Sequence, residues 1–414
     1  MPALLLYSLI GIILFFQLVA PAALRADTLL ALTHAESLAL NEAPWLAHHR
    51  SNADAAAQRV VYEGRLPDPQ LVLGAINVPT DTFKFDQDDM TMTMVGIRQS
   101  FPAGDTLALK SQRARKELTR EQANTEVERR KLLKQVRETW LELYFQQESL
   151  RLLQEALLLQ RKQTDAAQNR YRAAIDTQQM SLRARQALAR LNEREPMLKA
   201  QIARSRAHLR RWIGDAALQP LPNELPALPE PASDFTIAQH PEWLANDAMR
   251  DAAGIEADIA RQEYKPAWML DLSYGVRQPM PNGTERANMV TAMVTLDLPV
   301  FRGKRQDPRL AEKLALENGT RYEAEDKRRE LEAMYQSVLA DYAAQTERAK
   351  IFEEQLMPAI RRESKTSLAG SARDRSDIRE AQMKAFEAEQ EYTRVRVDRA
   401  KAQAELLYLT GEQP

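Results

Sequence analysis

Apolar and polar positions follow two rhythms along this chain, and the switches between them divide it into helices and strands. Residues 29–63 keep a helical period that stops near Gly64 and Pro67, where proline bars further helix. A period of two follows. It covers roughly Gln70 to Asn77, then roughly Met90 to Gln99, where Met90, Met92 and Met94 alternate with Thr91, Thr93 and Val95. From Asp105 to Arg172 there is neither Pro nor Gly. An unbroken helix over that span would extend ~100 Å at about 1.5 Å per residue, too long for a globular domain. Leu133, Val136, Trp140, Leu143, Leu150 and Leu157 recur there at alternating three- and four-residue steps, the seam of helices packed as a coiled coil. After a turn near Ala173 to Gln178, a second helix returns to Trp212.

The same sequence of patterns then repeats. Pro44-Trp45-Leu46 recurs as Pro241-Glu242-Trp243-Leu244, Leu66-Pro67 as Lys265-Pro266, and Phe101-Pro102-Ala103-Gly104 as Leu298-Pro299-Val300-Phe301-Arg302-Gly303. Trp212-Ile213-Gly214 recurs as Leu409-Thr410-Gly411. Pro241, Pro299 and Gly411 each lie 197 positions beyond their counterparts Pro44, Pro102 and Gly214, and Pro266 lies 199 beyond Pro67. Strand alternation is clearer in this copy. Trp268, Leu270, Leu272, Tyr274 and Val276 interleave with Met269, Asp271, Ser273 and Gly275; Val290, Ala292, Val294, Leu296 and Leu298 interleave with Thr291, Met293, Thr295 and Asp297. Helices are expected from Pro308 to Leu368 and from Asp377 to Leu407, with Pro196 and Pro358 kinking or breaking their hairpins. Pro220, Pro222, Pro226, Pro229 and Pro231 mark a linker between the halves. The expected organisation is a signal segment over 1–26, a first repeat over 27–219, a Pro-rich linker over 220–233 and a second repeat over 234–414.

Composition narrows the function. The 57 Lys+Arg and 58 Asp+Glu nearly cancel, so no basic excess points to nucleic acid, and 13 Gly with 6% aromatics fits long amphipathic helices. Zero Cys excludes disulfides, thiolate sites and cysteine nucleophiles. The apolar run Ala3 to Ala20, followed by Pro21-Ala22-Ala23-Leu24-Arg25-Ala26-Asp27, reads as a secretory signal with its cleavage zone. Met1-Pro2-Ala3 lacks the usual basic residue, which leaves a retained anchor as the alternative. No comparable apolar run follows, so a mature chain that crosses a membrane must do so by a closed β-barrel.

Strands of about 9–11 residues match a tilted bilayer crossing. Four per chain cannot close a barrel, whereas three chains would supply twelve strands around a water-filled lumen and twelve helices around a tunnel. The expected fold is therefore mainly α with membrane β: long coiled-coil hairpins plus four strands per protomer, completed as a homotrimer with a 12-stranded β-barrel and an α-helical tunnel. The bland alternative is a soluble helical scaffold whose β-hairpins pack on its own helices.

The sequence resembles the outer-membrane factor family typified by TolC across essentially the whole mature chain. The resemblance rests on Leu66-Pro67-Asp68-Pro69-Gln70-Leu71, Val95-Gly96-Ile97-Arg98-Gln99-Ser100-Phe101-Pro102, and Leu296-Asp297-Leu298-Pro299-Val300-Phe301-Arg302-Gly303. At the second tip it rests on Leu368-Ala369-Gly370-Ser371 followed by Asp377-Ile378-Arg379-Glu380-Ala381-Gln382. The first tip departs from it, because Tyr171-Arg172-Ala173-Ala174 lacks the usual turn glycine. Membership implies a trimer in outer-membrane lipid, with a large periplasmic portion. It would dock a periplasmic adaptor (membrane fusion) protein and an inner-membrane efflux pump, and pass substrate outward without enzyme chemistry or cofactor. The stretch from Leu66-Pro67-Asp68-Pro69 through Asn77-Val78-Pro79-Thr80-Asp81-Thr82-Phe83 and on to Phe101-Pro102 resembles members paired with heavy-metal pumps of the resistance-nodulation-division type. Heavy-metal cations are thus the expected cargo, with drugs or organic solvents, and then protein or polysaccharide, as alternatives.

Candidate site residues cluster at the tips and at the barrel–helix junctions. Arg172 and Asp176 in the first turn, and Arg373, Asp374, Arg375 and Asp377 in the second, would become rings of charge in a trimer, able to gate a pore. The competing role is helix capping, Asp377 being a plausible N-cap. Ala173, Ala174 and Gly370 are candidate adaptor contacts, since small residues admit another hairpin. Pro67, Pro102, Pro266 and Pro299 would mark the junctions. The alternating methionines suit Cu(I), but the favoured reading turns that strand face to lipid. His48-His49 has no evident third ligand, and no phosphate loop, hydrolase elbow or HExxH motif occurs.

Overall fold

The computed structural model describes residues 29–232, 235–369 and 375–411. The predicted signal segment 1–26 lies outside them. The chain opens with α1 (Leu32–Glu42) and α2 (Pro44–Glu63), then β1 (Gln70–Ile76) and β2 (Met92–Phe101). The long α3 (Thr106–Arg172) and the returning α4 (Gln178–Ile213) follow. The same order recurs as α5 (Pro241–Gln262), β3 (Ala267–Val276), β4 (Met289–Asp297), α6 (Gln306–Ile351), α7 (Met357–Ala369) and α8 (Arg375–Thr410). No helix among the described residues is long and apolar enough to cross a membrane.

One departure from the hydrophobic pattern is at the start. The helical stretch 29–63 is two helices, broken at Ala43, whose ψ of 113° is extended. Pro44 is the cause: its ring disfavours helical geometry in the preceding residue, while its own fixed φ suits the first position of α2. Another lies in the second hairpin. Between α6 and α7, residues Phe352–Leu356 form a π turn directly before Pro358. The wider turn accommodates a residue that has no amide hydrogen to give. Pro196, by contrast, sits within an unbroken α4.

The predicted seam of α3 is real. Leu133, Val136, Trp140, Leu143 and Leu157 are buried, with Leu150 half-buried. Trp140 is wholly enclosed, and its indole donates to the Leu30 carbonyl at 2.9 Å. Around it gather Leu46, Leu209, Ile213, Val397, Ala404 and Leu407, so α1, α2, α3, α4 and α8 share one core. The stretch 220–232 is not free chain: Leu221 and Leu228 join that core, and Gln403 donates to the Pro229 carbonyl at 2.9 Å. Charged groups key the same helices together. Arg137 of α3 reaches Glu36 of α1, and Glu142 of α3 is met from α8 by Arg394 (3.0 Å) and Lys401.

The four strands form one antiparallel sheet in the order β1-β2-β3-β4. The β2–β3 pairing runs from Thr93 opposite Val276 to Phe101 opposite Trp268 and joins the two halves of the chain. Among the described residues no helix packs across either face of this sheet. That removes the arrangement in which the hairpins lie on the chain's own helices.

Helix ends follow backbone chemistry. Gly214 (φ +58°) and Gly411 (φ +82°) terminate α4 and α8 in the left-handed region, which explains why these two glycines recur as landmarks. At the tip of the first hairpin the left-handed residue is Ala174 (φ +57°). Ile175 N–H donates to the Arg170 carbonyl at 2.9 Å and Ala174 N–H to the Tyr171 carbonyl at 3.0 Å. These are the two bonds of a Schellman motif, with alanine in the position glycine usually takes. The start of α5 is capped by His240, whose Nδ1 accepts from the Glu242 amide at 3.3 Å. The ring is almost fully buried, edge-on to Tyr408 at 5.7 Å. Burial pushes its pKa from 6.5 down to about 4, with Glu242 opposing and Arg130 assisting.

Two outcomes follow for stability. His240 stays neutral when folded, while the unfolded chain takes up a proton below its ordinary pKa of 6.5. Stability is therefore full above that value, falls as pH drops toward about 4, and levels off below. The loss amounts to about 3 kcal/mol at 1.36 kcal/mol per unit. His240→Asn keeps a capping side chain without the titration, so urea midpoints at pH 7 and pH 4 should converge in the variant relative to wild type. Ala174→Gly should stabilise the first tip by about 1 kcal/mol, read as slower amide exchange over residues 170–178.

Candidate functional site

Register sorts the sheet's side chains into two unlike faces. On one, Leu71, Ile97, Leu272 and Ala292 lie in a single cross-strand row, and Leu73, Val95, Tyr274 and Val290 in the next. Phe101 and Trp268 stack on the same face at 3.9 Å between ring centroids. Thr93 and Gln99 are the only polar strand residues there. These apolar side chains are not covered: Val290 is 78% exposed and Leu73 70%. An apolar surface of this extent needs a partner or a lipid phase.

The opposite face is mixed, with Val72, Ile76, Ala267 and methionines among polar and charged residues. It carries Arg98, Ser100, Asp271, Ser273, Thr291, Thr295 and Asp297. Arg98 Nε donates to Asp271 Oδ1 at 2.7 Å across the β2–β3 seam. Met92 and Met94 lie on this side. The Met90–Met92–Met94 run does not lie on the apolar face: Met90 precedes β2, and the other two share the face of Arg98. Pairing with β3 decides the matter, because it places Asp271 beside Arg98 and thereby fixes which side is polar. Gly275 makes room here, since a β-carbon on it would fall 2.5 Å from Met92 Sδ.

Each of the four junction prolines stands in a short connection between helix and strand. Pro67 falls between α2 and β1, Pro102 between β2 and α3, Pro266 between α5 and β3, and Pro299 between β4 and α6. Side chains brace these connections. Gln99 donates to the Pro67 carbonyl at 2.8 Å, Arg302 to the Pro299 carbonyl at 3.2 Å, and Lys265 pairs with Asp105 at 3.4 Å, linking the two copies of the junction.

At the first tip, Asp176 is gripped by Arg170, Nε to Oδ2 at 2.7 Å and Nη2 to Oδ1 at 3.1 Å. Arg170 thus anchors the turn twice, through its guanidinium and through the carbonyl that receives Ile175. Sequence reasoning passed over it, although a basic residue six positions before an acidic one across a tight turn is the available signal. Arg172 closes α3 and is exposed, as are Ala173 and Ala174. At the second tip, Gly370, Arg373 and Asp374 lie outside the described residues. Arg375 and Asp377 fall in the first turn of α8, so the helix begins ahead of Asp377 and not at it. His48 and His49 stand edge-on at 5.4 Å beside Trp45. Among the described residues no group of three or more His, Cys, Asp or Glu is placed to hold a metal ion.

Residues 36–215 match the family described as outer membrane efflux protein. No curated protein sequence matches the chain. Among solved structures, a membrane protein from Pseudomonas aeruginosa superposes with a TM-score of 0.77 at 17% identity, over 93% of this chain and 94% of that one. CusC superposes at 0.73 and 13% identity, over 92% of each chain, and the outer membrane protein VceC from Vibrio cholerae at 0.74 and 15%, over 92% and 96%. Across its described length the chain therefore has the fold of these proteins, and residues 36–215 are similar in sequence to the outer membrane efflux protein family.

Proposed function

We propose that the chain is one protomer of a trimeric outer-membrane efflux duct, a passive conduit with no chemistry of its own. The observation that carries this reading is the sheet: four strands with an exposed apolar face, a polar reverse face, and open edges on β1 and β4. An open edge in hydrocarbon leaves amides unpaired at several kcal/mol each. Three copies pair every edge and give twelve strands, wide enough for a water-filled lumen. The apolar face then meets lipid and the polar face lines the pore. The helices extend the duct into the periplasm; α3 alone, with 67 residues, spans ~100 Å. The neighbours include an outer-membrane channel, OprN, and CusC, which forms a transmembrane channel.

The remaining roles belong to the same proposal. Residues 1–26 direct export, and 27–219 and 234–414 form the two repeats joined by 220–233. The tips, with Ala173, Ala174 and Gly370, receive a periplasmic adaptor that connects the duct to an inner-membrane pump. Arg172, Asp176, Arg373, Asp374, Arg375 and Asp377 form charged rings at the mouth, with Arg170 holding Asp176 in place. Heavy-metal cations are the proposed cargo, on the resemblance of residues 66–102 to channels paired with metal pumps.

Protein extracted from outer membranes should migrate as a trimer on unheated gels, collapse to a monomer on heating, and conduct ions in planar bilayers. A non-conducting monomer would sink the duct. If the tip pairs hold the mouth narrow, Asp176→Ala and Asp374→Ala should each raise single-channel conductance, and unchanged conductance in both would remove the tips from gating.

A further inference from the structure

The sheet contains five methionines, and all lie on one face. Met92 and Met94 of β2, Met269 of β3 and Met289 and Met293 of β4 fall on the side of Arg98 and Asp271. The opposite face, which is far more apolar, has none; its apolar positions hold Leu, Val, Ile, Ala and aromatic residues. Methionine used merely as hydrocarbon filler would have every reason to appear on the greasy side as well. Its segregation to the polar side points to the sulfur. A thioether needs no hydrogen-bond partner, yet offers a lone pair that suits soft cations such as Cu(I).

Register also spaces these sulfurs along the strands. Met269 lies opposite Ser100 near the helical end, and Met293 lies opposite Asp271 one step farther along. Met94 and Met289 flank Gly275 in a single row, and Met92 lays its sulfur over that glycine. From Met269 to the row of Gly275 is six residues of strand, ~20 Å at about 3.4 Å each. Thioethers therefore occur at four levels of this face, with the row of Val72, Gly96, Ser273 and Thr291 between Met293 and Met94 carrying none.

We infer that this face is a thioether track that weakly binds a soft monovalent cation, copper(I) or silver(I), at several levels as it passes through the barrel. The inference rests on the duct reading and narrows its cargo. Several weak sites in series suit conduction, because an ion must leave each as readily as it enters.

Silver nitrate is the probe, applied to the trimer in planar bilayers with potassium nitrate as electrolyte, since chloride precipitates silver. Micromolar silver should reduce the potassium current, and zinc nitrate at the same concentration should not. The variant carrying Met92→Leu, Met94→Leu, Met269→Leu, Met289→Leu and Met293→Leu preserves volume. It should conduct potassium as wild type does and need at least tenfold more silver for the same block. Should that variant fail to assemble, the wild-type trimer still decides: silver should slow peroxide oxidation of Met92 and Met94, followed by peptide mass spectrometry, at least tenfold. A trimer that conducts potassium but shows neither block nor protection overturns the track and leaves the duct standing, as does a five-leucine variant that keeps full silver sensitivity. A wild-type protein that conducts nothing overturns both.

Discussion

The pairing of β2 with β3 is the interaction on which the rest of the molecule depends. Each hairpin alone is a two-stranded ribbon, marginal in water and useless in lipid. Joined, they make one sheet, and the seam is pinned on both sides: by the Arg98–Asp271 ion pair on the polar face and by the Phe101–Trp268 stack on the apolar one. Those partners stand more than 160 positions apart in sequence, so the seam also fixes how the two copies of the helical unit lie against each other. Junction contacts such as Lys265 with Asp105 carry that alignment into the helices.

In the helical body, apolar packing supplies cohesion and charge supplies registration. Trp140 and its neighbours form a core shared by α1, α2, α3, α4 and α8. A coiled-coil seam of similar residues could slide by a turn at little cost, because one leucine resembles the next. Arg137 with Glu36, and Glu142 with Arg394 and Lys401, do not permit such a slide without stranding a partly buried charge. Pairs of this kind add little net stability and discriminate strongly between registers.

Much of this was legible from periodicity. Strands expected at 70–77 and 90–99 occur at 70–76 and 92–101, and the long helix runs within one residue of its expected start, because nothing in 106–172 opposes it. What escaped were relations between segments. Alternation in β2 shows that Met92 and Met94 share a side, yet only the partner strand says which side is polar. The break at Ala43 was written in Pro44, though the continuous apolar pattern masked it. The role of Arg170 depends on the left-handed turn at Ala174, a conformation alanine does not advertise.

The π turn at Phe352–Leu356 bears on how the second hairpin keeps its apolar stripe. Ala349, Phe352 and Met357 are all buried, although the last step is five residues, which in a regular helix would swing the side chain well away from the core. The i→i+5 turn brings residues five apart back onto one side. It has the form of a single extra residue absorbed on the spot, so that the helix beyond it keeps the phase it would have had without that residue. Counting heptads straight through α6 and α7 therefore gives the wrong face after Phe352, while the packing itself never loses step.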